Sequence, residues 1–107
     1  MRVLAIVAAL LAAAPAAAQV SSVRYLCDRG VEIPVTYATT DDFAIVVLFV
    51  EGGLVTLHNE PAASGVRYAW PSGGSGYVWL TKGDEATLLW RDGAEGTETA
   101  VYDSCRA

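Results

Sequence analysis

The pattern of apolar and polar positions divides this chain in two. Residues 3–14 are uninterruptedly apolar and rich in Ala. Beyond Gln19 no helical period appears. Instead, short runs of Val, Ile, Tyr, Trp and Leu recur at intervals of about 8–14 residues, separated by Gly, Pro, Asp and Ser clusters. Residues 23–28 alternate well enough for a first strand, and Asp28-Arg29-Gly30 turns the chain. Residues 32–38 put Ile33, Val35 and Tyr37 on one face, with Pro34 marking an edge or a bulge. Residues 43–50 (F-A-I-V-V-L-F-V) form an unbroken apolar run, expected as a strand buried on both faces or meeting another element on its outer face. Glu51-Gly52-Gly53 then turns into a strand over 54–60. Two strands flank a Gly-rich loop at 71–76, and strands over 84–91 and 97–105 complete a set of eight. The fold class is therefore all-β, and up-and-down closure would remove exposed sheet edges.

The pair of strands around the Gly-rich loop is the most informative stretch. A turn centred on Gly73-Gly74 sets Tyr68 opposite Trp79, Trp70 opposite Tyr77 and Val66 opposite Thr81. Cross-strand aromatic pairs of this kind each stabilise a sheet by roughly 0.2–1 kcal/mol. The same ladder sets Ser64 opposite Gly83 and Gly65 opposite Lys82 at the end away from the turn. A hydroxyl and an ammonium are thereby expected side by side.

The S-G-V-R-Y segment (64–68) and the later W-L-T-K-G-D-E-A segment (79–86) resemble the inhibitors of c-type lysozyme known as the MliC/PliC family. The likeness extends to Tyr25 and Cys27, to Val35-Thr36-Tyr37 and to Cys105, and so covers nearly all of the chain beyond residue 18. It implies a small eight-stranded antiparallel barrel and a c-type lysozyme as protein partner. It also implies inhibitory positions at Ser64 and Lys82, with Gly65, Arg67, Tyr68 and Gly83 supporting or extending the contact. An exported β-module that binds envelope glycan through Trp70, Tyr77 and Trp79, without inhibiting anything, is the competing reading.

Arg2, the apolar run and Ala16-Ala17-Ala18 have the layout of a secretory signal peptide, cut after Ala18. Residues 19–107 then form the single domain. A lipoprotein needs a Cys directly after the small residues. The first Cys here, Cys27, follows Arg24-Tyr25-Leu26, so a periplasmic or secreted protein with no stable membrane anchor after cleavage is expected. Two cysteines in an exported chain predict one disulfide, Cys27 to Cys105. Removing Arg2 with the signal leaves six basic against 12 acidic residues, a formal charge of −6 instead of −5. That balance suits a basic partner and argues against nucleic acid.

Templates for catalysis and cofactors fail. Gly73-Gly74-Ser75-Gly76-Tyr77 lacks the second flanking Gly of a nucleophile elbow, and this loop precedes a strand, so it is no phosphate cradle. His58 is the only histidine, and both cysteines are expected to be oxidised. Asp41 and Asp42 read as a solvated turn with no metal-loop spacing around them. No catalytic residue, metal or cofactor is expected.

Overall fold

The computed structural model describes residues 18–71 and 74–107. Residues 1–17 of the predicted signal peptide, and Ser72 and Gly73 of the Gly-rich loop, lie outside the described residues. The strands are β1 Gln19–Leu26, β2 Glu32–Thr39, β3 Ala44–Val50, β4 Gly53–Glu60, β5 Val66–Ala69, β6 Gly76–Lys82, β7 Glu85–Asp92 and β8 Thr97–Arg106. They follow one another in chain order around a closed antiparallel barrel.

Turn chemistry fixes the registers. Val50 pairs with Gly53, so Glu51 and Gly52 are the two central turn residues, with φ of 52° and 83°. Two positive φ values in a two-residue hairpin match the right-handed strand twist. Pro34 sits just outside the β2–β3 ladder, which begins at Val35, so its missing N–H interrupts no pairing there. The 43–50 run is not buried on both faces. Val46, Leu48 and Val50 point inward and are buried, whereas Phe49 and its partner Leu54 are 47% and 74% exposed. A single closed sheet has protein only on its inner side, and no second layer of the described residues covers β3.

Trp79 organises the interior. It is fully buried, between Tyr68 on β5 and Leu88 on β7. Tyr25 meets its ring edge-on, with centroids 5.1 Å apart. Its indole N–H donates to the Tyr37 hydroxyl at 3.0 Å, and that hydroxyl lies 2.8 Å from the hydroxyl of Tyr25. Burial, with the Tyr25 hydrogen bond, holds Tyr37 well above the usual phenol range. Ile33, Val35, Val46, Leu48, Leu57 and Leu88 fill the remaining core. No buried side-chain nitrogen or oxygen among the described residues lacks a partner, so the aromatic centre is bonded as well as packed.

A second device sits on the outer surface. Val78 and Ala69 pair with each other and are buried, yet they stand outside the core cluster. Alternation turns them outward from Trp79 and Tyr68. Across this face Arg67 donates to Glu60 at 2.9 Å and to Glu98, while Arg91 reaches Glu60 at 2.7 Å and Glu98 at 3.3 Å. The four side chains come from β4, β5, β7 and β8 and bridge over β6. The Arg67 hydrogen bond, which outweighs partial burial, lowers Glu98; partial burial pushes Glu60 upward, but the hydrogen bonds from Arg67 and Arg91 outweigh it and the net direction is down. Carboxyls depressed in the folded state stabilise it above the ordinary carboxylate range, and that contribution is lost as pH falls through their lowered values. Urea unfolding of wild type and Glu98→Gln should therefore differ most at neutral pH. The gap should close on acidification below about pH 4, and a gap independent of pH would contradict this assignment.

Closure of the barrel depends on covalent help. β1 and β8 share one partner pair, Leu26 opposite Arg106. Beside it Cys27 and Cys105 form the predicted disulfide, with Cα atoms 3.8 Å apart. The one-turn 3₁₀ segment Asp28–Gly30 finishes the seam. The Arg29 guanidinium donates to the Val101 carbonyl at 2.6 Å and lies 4.7 Å from the centroid of the Tyr102 ring, and Asp28 Oδ1 accepts from the Asp103 N–H. β8 is bulged against β7 between Cys105 and Tyr102, where Ser104 takes φ 55°.

Candidate partner-binding site

Two loops meet at one end of the barrel: residues 61–65, which join β4 to β5, and the Gly83-Asp84 turn between β6 and β7. The observed ladder has Val66 opposite Thr81 and Tyr68 opposite Trp79, as the sequence register predicts. It ends at Ala69 opposite Val78, so Trp70 has left the strand and does not pair with Tyr77. Tyr77 pairs instead with Trp90, its ring edge-on at 5.2 Å, and its hydroxyl donates to Glu51.

Gly65 is the hinge of the site. Its φ is 71°, and a Cβ built there would collide with the Thr81 carbonyl oxygen while lying 3.6 Å from the Lys82 Cβ. Only glycine gives both the left-handed conformation and the close approach. The two loops therefore meet at Gly65 and Lys82, and Ser64 directly precedes Gly65 in the chain. Gly83, at φ 65°, occupies the first central position of the two-residue turn from Lys82 to Glu85. Gly65→Ala is expected to cost about 1–3 kcal/mol of stability, the range for a strained backbone position. Chemical denaturation checks this; an unchanged midpoint would mean that the loops part freely.

Ser64 and Lys82 are both exposed. Among the described residues neither side chain has a hydrogen-bond or ion-pair partner. Lys82 is the only lysine in the chain. Its neighbours Asp84 and Glu85 are occupied, since the Arg106 guanidinium lies 3.7 Å from Asp84 and 2.7 Å from Glu85. The site thus presents a free ammonium and a free hydroxyl on backbone held by strand pairing and a glycine contact. Such a pair can bind an anionic group and a second polar group, and it holds no nucleophile–base arrangement.

The other two predicted site residues are placed differently. Tyr68 is 8% exposed and faces the core, packed near Tyr37. The Arg67 side chain is 19% exposed and bonded to Glu60 and Glu98. The Glu98 hydrogen bond, followed by that of Glu60, raises its already high pKa further. Both residues brace β5 from its two sides, and neither extends a free group from the Ser64–Lys82 surface. Arg106 was not singled out by sequence, although its position directly after Cys105 fixes it to the barrel seam. No group of three or more His, Cys, Asp or Glu side chains among the described residues could hold a metal ion. No helix there is long and apolar enough to cross a membrane.

Comparison with known proteins agrees with this architecture. Residues 25–96 match the family model described as membrane-bound lysozyme-inhibitor of c-type lysozyme. A Cupriavidus necator protein called membrane-bound lysozyme inhibitor of C-type lysozyme is 38% identical over 88 residues, covering 82% of this chain and 66% of the relative. A Pseudomonas aeruginosa protein of the same name is 36% identical over 75 residues, covering 67% and 56%. This chain therefore spans about two thirds or less of the length of these relatives. Among solved structures, Pseudomonas aeruginosa MliC in complex with hen egg white lysozyme superposes with a TM-score of 0.64 at 30% identity, covering 96% of this chain and 97% of that one. The periplasmic inhibitor PliC from Salmonella typhimurium has the same fold, with a TM-score of 0.67 at 22% identity over 82% and 97%.

Proposed function

Since this chain belongs to the family of membrane-bound lysozyme inhibitors of c-type lysozyme, we propose that it inhibits a c-type lysozyme by placing Ser64 and Lys82 in the enzyme's catalytic cleft. The observation that carries the reading is the pair of exposed, unpartnered groups on two interlocked loops. A c-type lysozyme works with two carboxyl groups, one kept protonated and one ionised, on either side of its glycan cleft. A lysine ammonium complements the ionised carboxylate, and a serine hydroxyl donates or accepts as its partner requires. Inhibition is then occupancy of the cleft, with no reaction and no cofactor. The Pseudomonas aeruginosa relative was solved bound to such an enzyme, which supports the choice of partner. The acidic balance of the chain favours encounter with a basic enzyme. The periplasm or the extracellular space, reached through the signal peptide, is where the protein would act.

The envelope-glycan reading needs an exposed aromatic platform. Trp79 is at the barrel centre and Tyr77 is engaged by Trp90 and Glu51, so only Trp70 of the three remains a ready stacking surface.

Titration of residues 19–107 into a c-type lysozyme cell-wall lysis assay tests the proposal. Lysis should fall to a stoichiometric end point. Undiminished lysis at micromolar protein, with binding to purified peptidoglycan in the absence of enzyme, would replace this reading with the glycan-binding one.

A further inference from the structure

Lys82, Glu85 and Arg106 form one row across β6, β7 and β8. Lys82 is directly opposite Glu85, and Glu85 is directly opposite Arg106. The row runs cation, anion, cation, with the anion flanked equally in register. Its bonding is one-sided. Arg106 donates to Glu85 Oε2 at 2.7 Å and lies 3.7 Å from Asp84 Oδ1, whereas the ammonium of Lys82 pairs with neither.

Two physical features favour Arg106 in this competition. A guanidinium is a planar fork that spans two carboxylates, while an ammonium is a point charge on a flexible stem. The end of β8 is also held in place. Cys105 is tied to Cys27, and the Ala107 N–H donates to the Asp84 carbonyl at 3.0 Å. The chain on both sides of Arg106 is thus anchored over the β6–β7 turn.

We infer that Arg106 is a positioning residue for Lys82: by occupying Asp84 and Glu85 it leaves the lysine ammonium unpaired and available to an anionic group on the partner. This deepens the proposed function and rests on it. Without Arg106, Glu85 stands opposite Lys82 with no competitor. An internal pair then forms that a partner carboxylate must first displace. Exposed pairs are weak, so the expected loss is about two- to fivefold.

The test is the inhibition constant against a c-type lysozyme at low ionic strength, with unfolding midpoints measured for every form. Arg106→Gln should weaken inhibition about two- to fivefold, and Arg106→Lys should weaken it less. Adding Asp84→Asn and Glu85→Gln to Arg106→Gln should restore inhibition. In a Lys82→Ala background, Arg106→Gln should have no further effect. If Lys82→Ala is weak while Arg106→Gln matches wild type, this inference fails and the proposed function stands. A loss from Arg106→Gln that persists in the Lys82→Ala background also overturns it, because Arg106 would then act on the partner directly. Lys82→Ala as potent as wild type overturns both.

Discussion

Lys82→Ala is expected to weaken inhibition of a c-type lysozyme at least about 30-fold, while leaving the fold intact. The lysine is exposed and unpaired in the free protein, so its removal breaks no internal bond. Unfolding free energy should change by no more than about 0.5 kcal/mol, as for other surface substitutions away from special features. In the complex the situation reverses. A cleft carboxylate that has lost water and faces alanine is buried without a counter-charge. Truncating one side of such a pair costs about 2–5 kcal/mol, or roughly 30- to several-thousand-fold in affinity. No second lysine exists to take over, and Arg67, the nearest candidate along β5, is bonded to Glu60 and Glu98. Ser64→Ala should cost less, because a neutral hydrogen bond contributes about half as much as a charge-assisted one. A loss under about threefold for Lys82→Ala would move the contact to another surface.

Removing the disulfide is expected to have the largest effect on stability. Cys27 and Cys105 are separated by 78 positions. The chain-entropy model gives about 4.5 kcal/mol for a loop of that length, and native disulfides in small exported domains typically contribute 2–5 kcal/mol. The topology here supports the upper part of that range. Among the described residues Leu26–Arg106 is the only strand pair across the seam, so no ladder replaces the bond once it is cut. Cys27→Ser/Cys105→Ser should lower the thermal midpoint by about 16–40 °C, taking about 4–5 kcal/mol at roughly 4–8 °C per kcal/mol for a domain of this size. It should also release Arg106 from its place beside the β6–β7 turn, so inhibition should weaken along with stability. A midpoint unchanged within a few degrees would show that the 3₁₀ segment and its contacts to β8 close the barrel unaided.

Much of this architecture is legible in the chain because its signals are local. The Gly-rich loop and the alternating aromatics around it fix the β5–β6 register, which in turn brings Gly65 against Lys82. The two cysteines fix the seam. What the sequence concealed depends on registers between strands far apart in the chain. The outer-face network joins Glu60 and Arg67 to Arg91 and Glu98, and nothing in any single segment marks these four as neighbours. Arg106 comes beside Glu85 only through the β7–β8 pairing, and that ladder is bulged. The 43–50 run reads as buried on both faces, or as covered on its outer face by another element, because apolar composition alone does not say how many layers a sheet has. Trp70, read as the next rung of the ladder, falls just past its end at Ala69.

The most direct measurement is competition for the enzyme's cleft. Binding of residues 19–107 to a c-type lysozyme is followed by calorimetry with and without a short chito-oligosaccharide that fills the glycan site. If Ser64 and Lys82 enter that site, the apparent affinity falls in proportion to the fraction of clefts filled by sugar. Equal affinity at saturating sugar would mean that the two proteins meet elsewhere, and the cleft-blocking account would be contradicted.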